Sequence, residues 1–503
     1  MNSFENWAVS FGALYCIGGI QGLFSTALVE GGPLAMWSNW IIACMLTYTI
    51  ATSLGEICSA YPTAGSMYYW AFRCAGDSKL APFLSWIVAW LTALAWITSV
   101  ASDVTGGAQL LMNEPVAFNV TGFDADLADF TACATQFGFS TLILAFATIL
   151  NLIHQKHFVY VYYVFAGLMI VSFVMNVVWL PAAVSRSYGF QDSAFVWTAT
   201  INDVSGVSMG YSWFLSFLFP LSTLVGFDAS GHVAEETKNA SVEAPHGIVN
   251  SMIWSAVICF PVMIVWLYCL PDIDDFVGSS FSSNVQIIYM YQQALGNSGQ
   301  VVIVAISIAL WMLNAAITLG AASRLIYAIA RDGLLPFRSS LLARNKNNQP
   351  YGAVLFTSGF ALVLLLTVLP SQYAFASITS TSVISNIAAY AFIIGGRITF
   401  TRTTFVQGPY NLGKWSIAIG YIAVLFCMLI FVVLCLPTSY PVSATTLNYA
   451  PVIFIIWMFV CIVYWIISAH RWYKGPARLF MIKDNEETEA VSFIVASQVD
   501  VSE

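Results

Sequence analysis

Charge is what this chain has least of. Lys and Arg number 17 and Asp and Glu 25 in 503 residues, 8% in all, against about a quarter in ordinary soluble domains. Hydrophobic residues make up 59%, more than the interior of any aqueous fold can hide, so a water-soluble globular protein is excluded. The ten cysteines stand singly, without a C-x-x-C. That spacing argues against a disulfide framework or a zinc site and leaves them as packing residues, with Cys133 and Cys269 the one outer-side pair a bridge could join. No run of basic residues offers a nucleic-acid patch, and no motif asks for a cofactor. No A-x-A-like site follows the first apolar run, so that run is expected to stay as a helix and not to be cleaved as a signal.

What is present is a series of long uncharged stretches. "WIIACMLTYTIATSLG" and "VVIVAISIALWMLNAAITLGAAS" are typical, and about 20 such residues make a helix that crosses the ~30 Å hydrocarbon core. The chain therefore reads as an all-α polytopic membrane protein in a lipid bilayer. Apolar runs predict twelve spans, at about 9–30, 34–58, 82–112, 134–153, 158–182, 209–234, 247–271, 300–329, 351–370, 373–396, 415–437 and 450–470. The run 285–296 is too short to cross and is expected as a surface helix in an outer loop.

Lys and Arg stay on the cytoplasmic side of short loops. With both termini placed inside, sixteen of the 17 basic residues fall on that side, among them Arg73, Lys156, Lys238, Arg331 and Lys346, and only Arg186 is outside. The outer loops carry acids instead, including Glu114, Asp124, Asp126, Asp129, Asp192, Asp203 and Asp275. "NVT" at Asn119 matches a glycosylation acceptor in one of them. The stretch from Lys483 onward is polar and reads as a disordered regulatory tail.

Two spans contain helix breakers. "CIGGIQG", Cys16 to Gly22, puts three glycines into span 1, and "FPLSTLVGF", Phe219 to Phe227, puts Pro220 and Gly226 into span 6. Close helix packing would explain either alone, because small residues let backbones approach. Five spans separate the two, so the second group of five crosses in the opposite sense. Paired breaks in oppositely oriented halves point to an inverted-repeat carrier whose substrate site lies between them. Unwound backbone in lipid needs polar partners, which a small solute supplies: half-helix N-termini suit a carboxylate, free carbonyls an ammonium group or cation. The substrate is expected beside Ile17, Gly18 and Gly19 of span 1 and Ser222, Thr223 and Leu224 of span 6.

The segments "EICSAYPTAGSMYYW", "GFDASGHVAEETKNA", "ARDGLLPF", "GPYNLGK" and "LPTSYPVSATTLNYAPV", followed by "WYKGPAR", together resemble the amino acid/choline transporter branch of the amino acid, polyamine and organocation superfamily. Fungal GABA and choline permeases and plant bidirectional amino acid transporters belong there. The resemblance runs from about Phe11 to Arg478. It implies five-plus-five inverted repeats (9–182 and 209–396) between a short N-terminus (1–8) and two further helices (415–470) with a tail (471–503). It also implies carriage of an amino acid, GABA, choline or a polyamine, in the plasma membrane or an endomembrane such as the vacuole.

Ionisable residues inside spans are functional by default, since charge there costs at least ~2.5 kcal/mol. Asp228 and His232 lie four apart, on one helical face. They read either as a proton-coupling pair, histidine titrating near neutral pH, or as a polar pair at the inner gate. Asp103 of span 3 reads as a seat for the substrate's ammonium group or as a vestibule residue. Asn314 of span 8 reads as a substrate contact or an interhelical bond, and Arg324 as snorkelling or paired with an acid at the gate. Glu235 and Glu236 read as ordinary surface residues, and Trp96, Trp213, Trp311 and Phe227 as an aromatic wall for a quaternary amine. By resemblance, Glu56 with "YPTAG" fits an inner-gate loop. Span 5 has no lysine to replace a coupling sodium ion, so the proton, an exchange mode or uniport remain.

An enzyme has one motif in its favour, "GVSMG" at Gly206 to Gly210. A nucleophile elbow needs a strand before it, and here an apolar helix follows a loop, so chance explains the match. A nutrient sensor on the same fold is the other rival.

Overall fold

A computed structural model describes residues 1–118, 130–202, 207–279, 281, 285–335, 338–347, 349–369, 372–437, 442 and 447–476. Asn119, Asp124, Asp126, Asp129, Asp203, Gly206, the "LPTSYPVSATT" segment beyond Pro437 and the tail with Arg478 and Lys483 lie outside the described residues, except Val442.

The described residues form helices and no strand. Ten helices are long and apolar enough to cross a membrane, which makes the protein an integral, multi-pass, all-α membrane protein. The elements that matter are α1 (Ser3–Leu14), α2 (Cys16–Ala60), α3 (Ser66–Cys74), α4 (Ala81–Ala117), α5 (Phe130–Leu152) and α6 (Gln155–Val184) in the first half. The second half has α7 (Met209–Leu215), α8 (Leu218–Thr223), α9 (Ala229–His232), α10 (Ala240–Tyr268), α11 (Ile287–Arg331), α12 (Tyr351–Val368), α13 (Gln372–Thr399), α14 (Gly413–Leu434) and α15 (Ala450–Trp472).

The count differs from the expected twelve for two reasons. Spans 1 and 2 run on as one assembly, Ser3–Ala60, bent at Gly32 (φ 75) before Pro33. Span 6 is cut into α7, α8 and α9, none long enough to cross alone. The run at 285–296 is likewise not a free surface helix. It opens α11 and joins span 8 across Gly296 (φ 66), with Ile287, Ile288, Met290 and Tyr291 buried.

Burial sorts the bundle. The most apolar windows of α4 and α13 are 78% and 83% buried, that of α15 only 17%, so α4 and α13 are central and α15 faces lipid. Around that centre α10 packs on α2 and α1, and α11 on α4. One buried indole and one buried hydroxyl share a partner between helices: Trp266 Nε1 and the Tyr291 hydroxyl both donate to Asn176 Oδ1, at 2.8 Å each. Without water, an unmet buried polar group costs several kcal/mol. None of the ten cysteines forms a disulfide, so the Cys133–Cys269 bridge is not made.

Candidate functional site

The first break falls at a single residue. α1 ends at Leu14, Tyr15 takes left-handed angles (φ 31, ψ 60), and α2 starts at Cys16 with no side chain capping it. The N–H groups of that first turn lack intrahelical partners by geometry. The glycines expected to form the break stand just past it, because their function is to make room. A Cβ on Gly18 would lie 2.2 Å from Tyr15 Cε1, and one on Gly19 would lie 2.9 Å from Thr223 Oγ1. The Tyr15 ring meets Trp311 edge-on at 4.9 Å and its hydroxyl donates to the Ser307 carbonyl at 3.3 Å. Ile17 beside it is buried.

The second break runs from Leu224 to Asp228, between α8 and α9. Gly226 turns the chain at φ 114, where L side chains are strained. The two breaks face each other. A Cβ on Gly226 would sit 3.9 Å from the Ala13 carbonyl oxygen, and the Ser10 hydroxyl donates to the Phe227 carbonyl at 2.5 Å. Asn6 Nδ2 donates to Thr237 Oγ1 at 2.9 Å, so α1 is tied along the α9 segment.

Asp228 is the most heavily bonded carboxylate of the region. Oδ1 accepts from the Tyr390 hydroxyl at 2.6 Å, Oδ2 accepts from Trp96 Nε1 at 3.3 Å, and His232 Nε2 stands 3.2 Å from Oδ2. Both members of the Asp228 and His232 pair are fully buried. The Trp96 indole meets the imidazole edge-on at 5.2 Å, and Phe227 stacks on Tyr390 at 5.4 Å. His232 Nδ1 has no hydrogen-bond partner. His232 is among the residues around a cavity of about 460 Å³ at the basic end of the bundle, with Glu235, Glu236, Arg324, Tyr327 and Arg331. Sequence reasoning missed Tyr390: one tyrosine in an apolar span 162 residues away carries no local signal.

The other expected residues divide. Asn314 Nδ2 donates to the Gly12 carbonyl at 2.7 Å and so satisfies the end of α1, while its Oδ1 has no partner. Asp103 lies by Thr318, and its Oδ2 is buried without a hydrogen-bond partner. The Ser222 and Thr223 hydroxyls both donate to Phe219 O at 3.1 Å, and Leu224 is fully buried. Trp213 belongs elsewhere, its indole on Ser38 Oγ at 3.0 Å. Glu56 lies apart from the cavity: it accepts from the Leu412 N–H at 3.2 Å and from the Ser416 hydroxyl, which fastens the "GPYNLGK" loop. Glu235 and Glu236 lie exposed at the surface, as expected, and there pair with Arg331 at 3.2 Å and Arg324 at 2.7 Å. Among the described residues no group of three His, Cys, Asp or Glu is placed to hold a metal ion.

Comparison with known proteins adds the family. The family model described as amino acid permease matches residues 4–477. The thiamine transporter thi9 of Schizosaccharomyces pombe is 34% identical, covering 94% of this chain and 84% of its own length. The amino-acid permease BAT1 homolog of rice (Oryza sativa subsp. japonica) is 31% identical over 94% and 91%, and the amino-acid permease BAT1 of Arabidopsis thaliana 29% identical over 95% and 93%. These relatives are transporters and permeases, not enzymes.

Proposed function

The chain belongs to the amino acid permease family and is a membrane transporter, and from that premise we propose that it carries an amino acid or a related amine by alternating access, coupled to the proton. The observation that carries this reading is the pair of facing interruptions at Tyr15 and at Leu224–Asp228. Backbone left without helical partners in mid-bilayer is costly unless a solute completes its bonding. The uncapped start of α2 at Cys16, Ile17 and Gly18 suits a carboxylate, and the carbonyls ending α1 suit a cationic nitrogen. Segments 9–182 and 209–396 then act as the two inverted repeats. GABA, choline, polyamines and thiamine, the last named for one relative, join the amino acids as the cargo to be tried.

The proton follows Asp228 and His232. A buried carboxylate beside an imidazole whose second nitrogen has no partner, on a residue bordering a polar cavity, has the parts of a proton exit. The charge rule puts that basic end in the cytosol, with the plasma membrane as the site of residence.

Proteoliposome uptake of those solutes, with and without an imposed pH gradient, tests the reading. His232→Ala is expected to abolish pH-driven accumulation and to spare counterflow exchange. Accumulation undiminished in that variant would remove the proton role and leave an exchanger or facilitator.

A further inference from the structure

Two carboxylates stand near the breaks, and they differ in how far the protein satisfies them. Asp228 has Tyr390, Trp96 and His232 around its two oxygens. Asp103 leaves Oδ2 buried and without a hydrogen-bond partner. It takes part in none of the ion pairs among the described residues. A carboxylate so placed is costly as an anion unless something positive arrives.

The surroundings indicate what arrives. Thr318, Asn314 and Trp311 recur at helical spacing on α11 and share the face turned to α4. Asn314 offers Oδ1, an acceptor with no partner on a residue only 1% exposed. The Gly12 carbonyl that Asn314 caps belongs to the last turn of α1, the negative end of that half-helix. Gly106 and Gly107, one turn along α4 from Asp103, let Trp311 come close: a Cβ on Gly106 would lie 2.9 Å from Trp311 Cη2. Trp311 in turn holds the Tyr15 ring at the break. A carboxylate, an amide oxygen, helix-end carbonyls and two aromatic rings form the set that recognises an organic cation. A bare hard cation asks instead for six or more oxygens.

We propose that Asp103 is the seat of a positively charged nitrogen of the cargo, with Asn314 Oδ1 and the Trp311 and Tyr15 rings completing it, so that the carrier selects solutes bearing a protonated or quaternary nitrogen. This assignment rests on the carrier reading above. It separates the roles of the two acids: Asp228 serves the coupled proton and Asp103 the cargo.

The test compares amines with neutral-carbon isosteres on the purified full chain: choline with 3,3-dimethylbutanol, GABA with pentanoate, and L-alanine with 2-methylpropanoate. Ligand-induced shifts of the melting midpoint give apparent affinities without a transport step. For the amine that binds best, wild type is expected to prefer it over its isostere by about 150-fold or more, the lower end of the scale for losing one partner of a buried charge pair. Asp103→Asn is expected to shrink that preference to within ~3-fold, and Asp103→Glu, which keeps the charge, to retain most of it. Stabilisation by none of the amines, or an amine preference that survives Asp103→Asn, overturns the assignment. Flux in proteoliposomes, run in parallel, keeps the two readings apart. Transport that persists while Asp103→Asn still prefers the amine sinks the Asp103 role alone; amine binding without flux sinks the carrier reading and leaves the binding site standing.

Discussion

Tyr390→Phe removes one oxygen atom and with it the 2.6 Å bond to Asp228. Leaving a buried hydrogen-bonding group unpaired costs roughly 1–3 kcal/mol, so the variant is expected to lose about that much stability, read as a lower melting midpoint, and to lose pH-driven accumulation before exchange. An unchanged midpoint would mean the carboxylate does not depend on this donor. Asp332, just past the end of α11, behaves differently. Burial holds its carboxyl above the usual carboxylate range, outweighing the Tyr68 hydroxyl and the Arg331 guanidinium that pull it down. The folded state therefore binds that proton more tightly than the unfolded chain, and stability falls as pH rises from the ordinary value through the raised one. Melting midpoints across pH 4 to 8, for wild type and Asp332→Asn, are expected to show this downward component in wild type only. Of these residues the sequence marked Asp228 and His232, whose spacing of four makes a helical pair visible. Tyr390 and Trp96 reach the same carboxylate through tertiary packing, which no local pattern records.

Helix interruption is the element on which the proposed function rests, and the sequence located it to within one turn. Glycines flagged span 1 correctly but were not themselves the turn: Tyr15 adopts the left-handed angles, and Gly18 and Gly19 give its ring and Thr223 the space that side chains would fill. In span 6 Gly226 is the turning residue itself, at φ 114. Gly226→Ala is therefore expected to cost about 1–3 kcal/mol of backbone strain and to slow transport, read together as a lower melting midpoint and a reduced exchange rate. A variant with wild-type values for both would show that the second interruption tolerates an ordinary backbone. The helix at the start of α11 was misjudged because length alone decided the expectation. An amphipathic segment too short to cross can still be buried when it is hinged to a span, here through Gly296.

At the scale of the molecule, composition and apolar runs were enough for the class, the approximate spans and their order. They were not enough for the number of continuous helices, because a span cut by a break and two spans joined by a kinked turn look alike in hydropathy. Sidedness rests on the distribution of Lys and Arg and is directly testable. Cysteines introduced at Lys346 and Asp275, in a background without native cysteines, are expected to react with an impermeant maleimide from opposite faces of the membrane, Lys346 from the cytosol. Labelling of both from one face would refute the proposed orientation.

From Gly296 to Arg331 α11 runs uninterrupted, roughly 50 Å at 1.5 Å per residue. Along that length it meets Tyr15 through Ser307, the end of α1 through Asn314 and Glu236 through Arg324. A stiff beam pivoted near its middle behaves as a see-saw: when one end leans in, the other swings out. Under the proposed alternating access, the two ends of the bundle would then not open together, and no separate timing device would be needed.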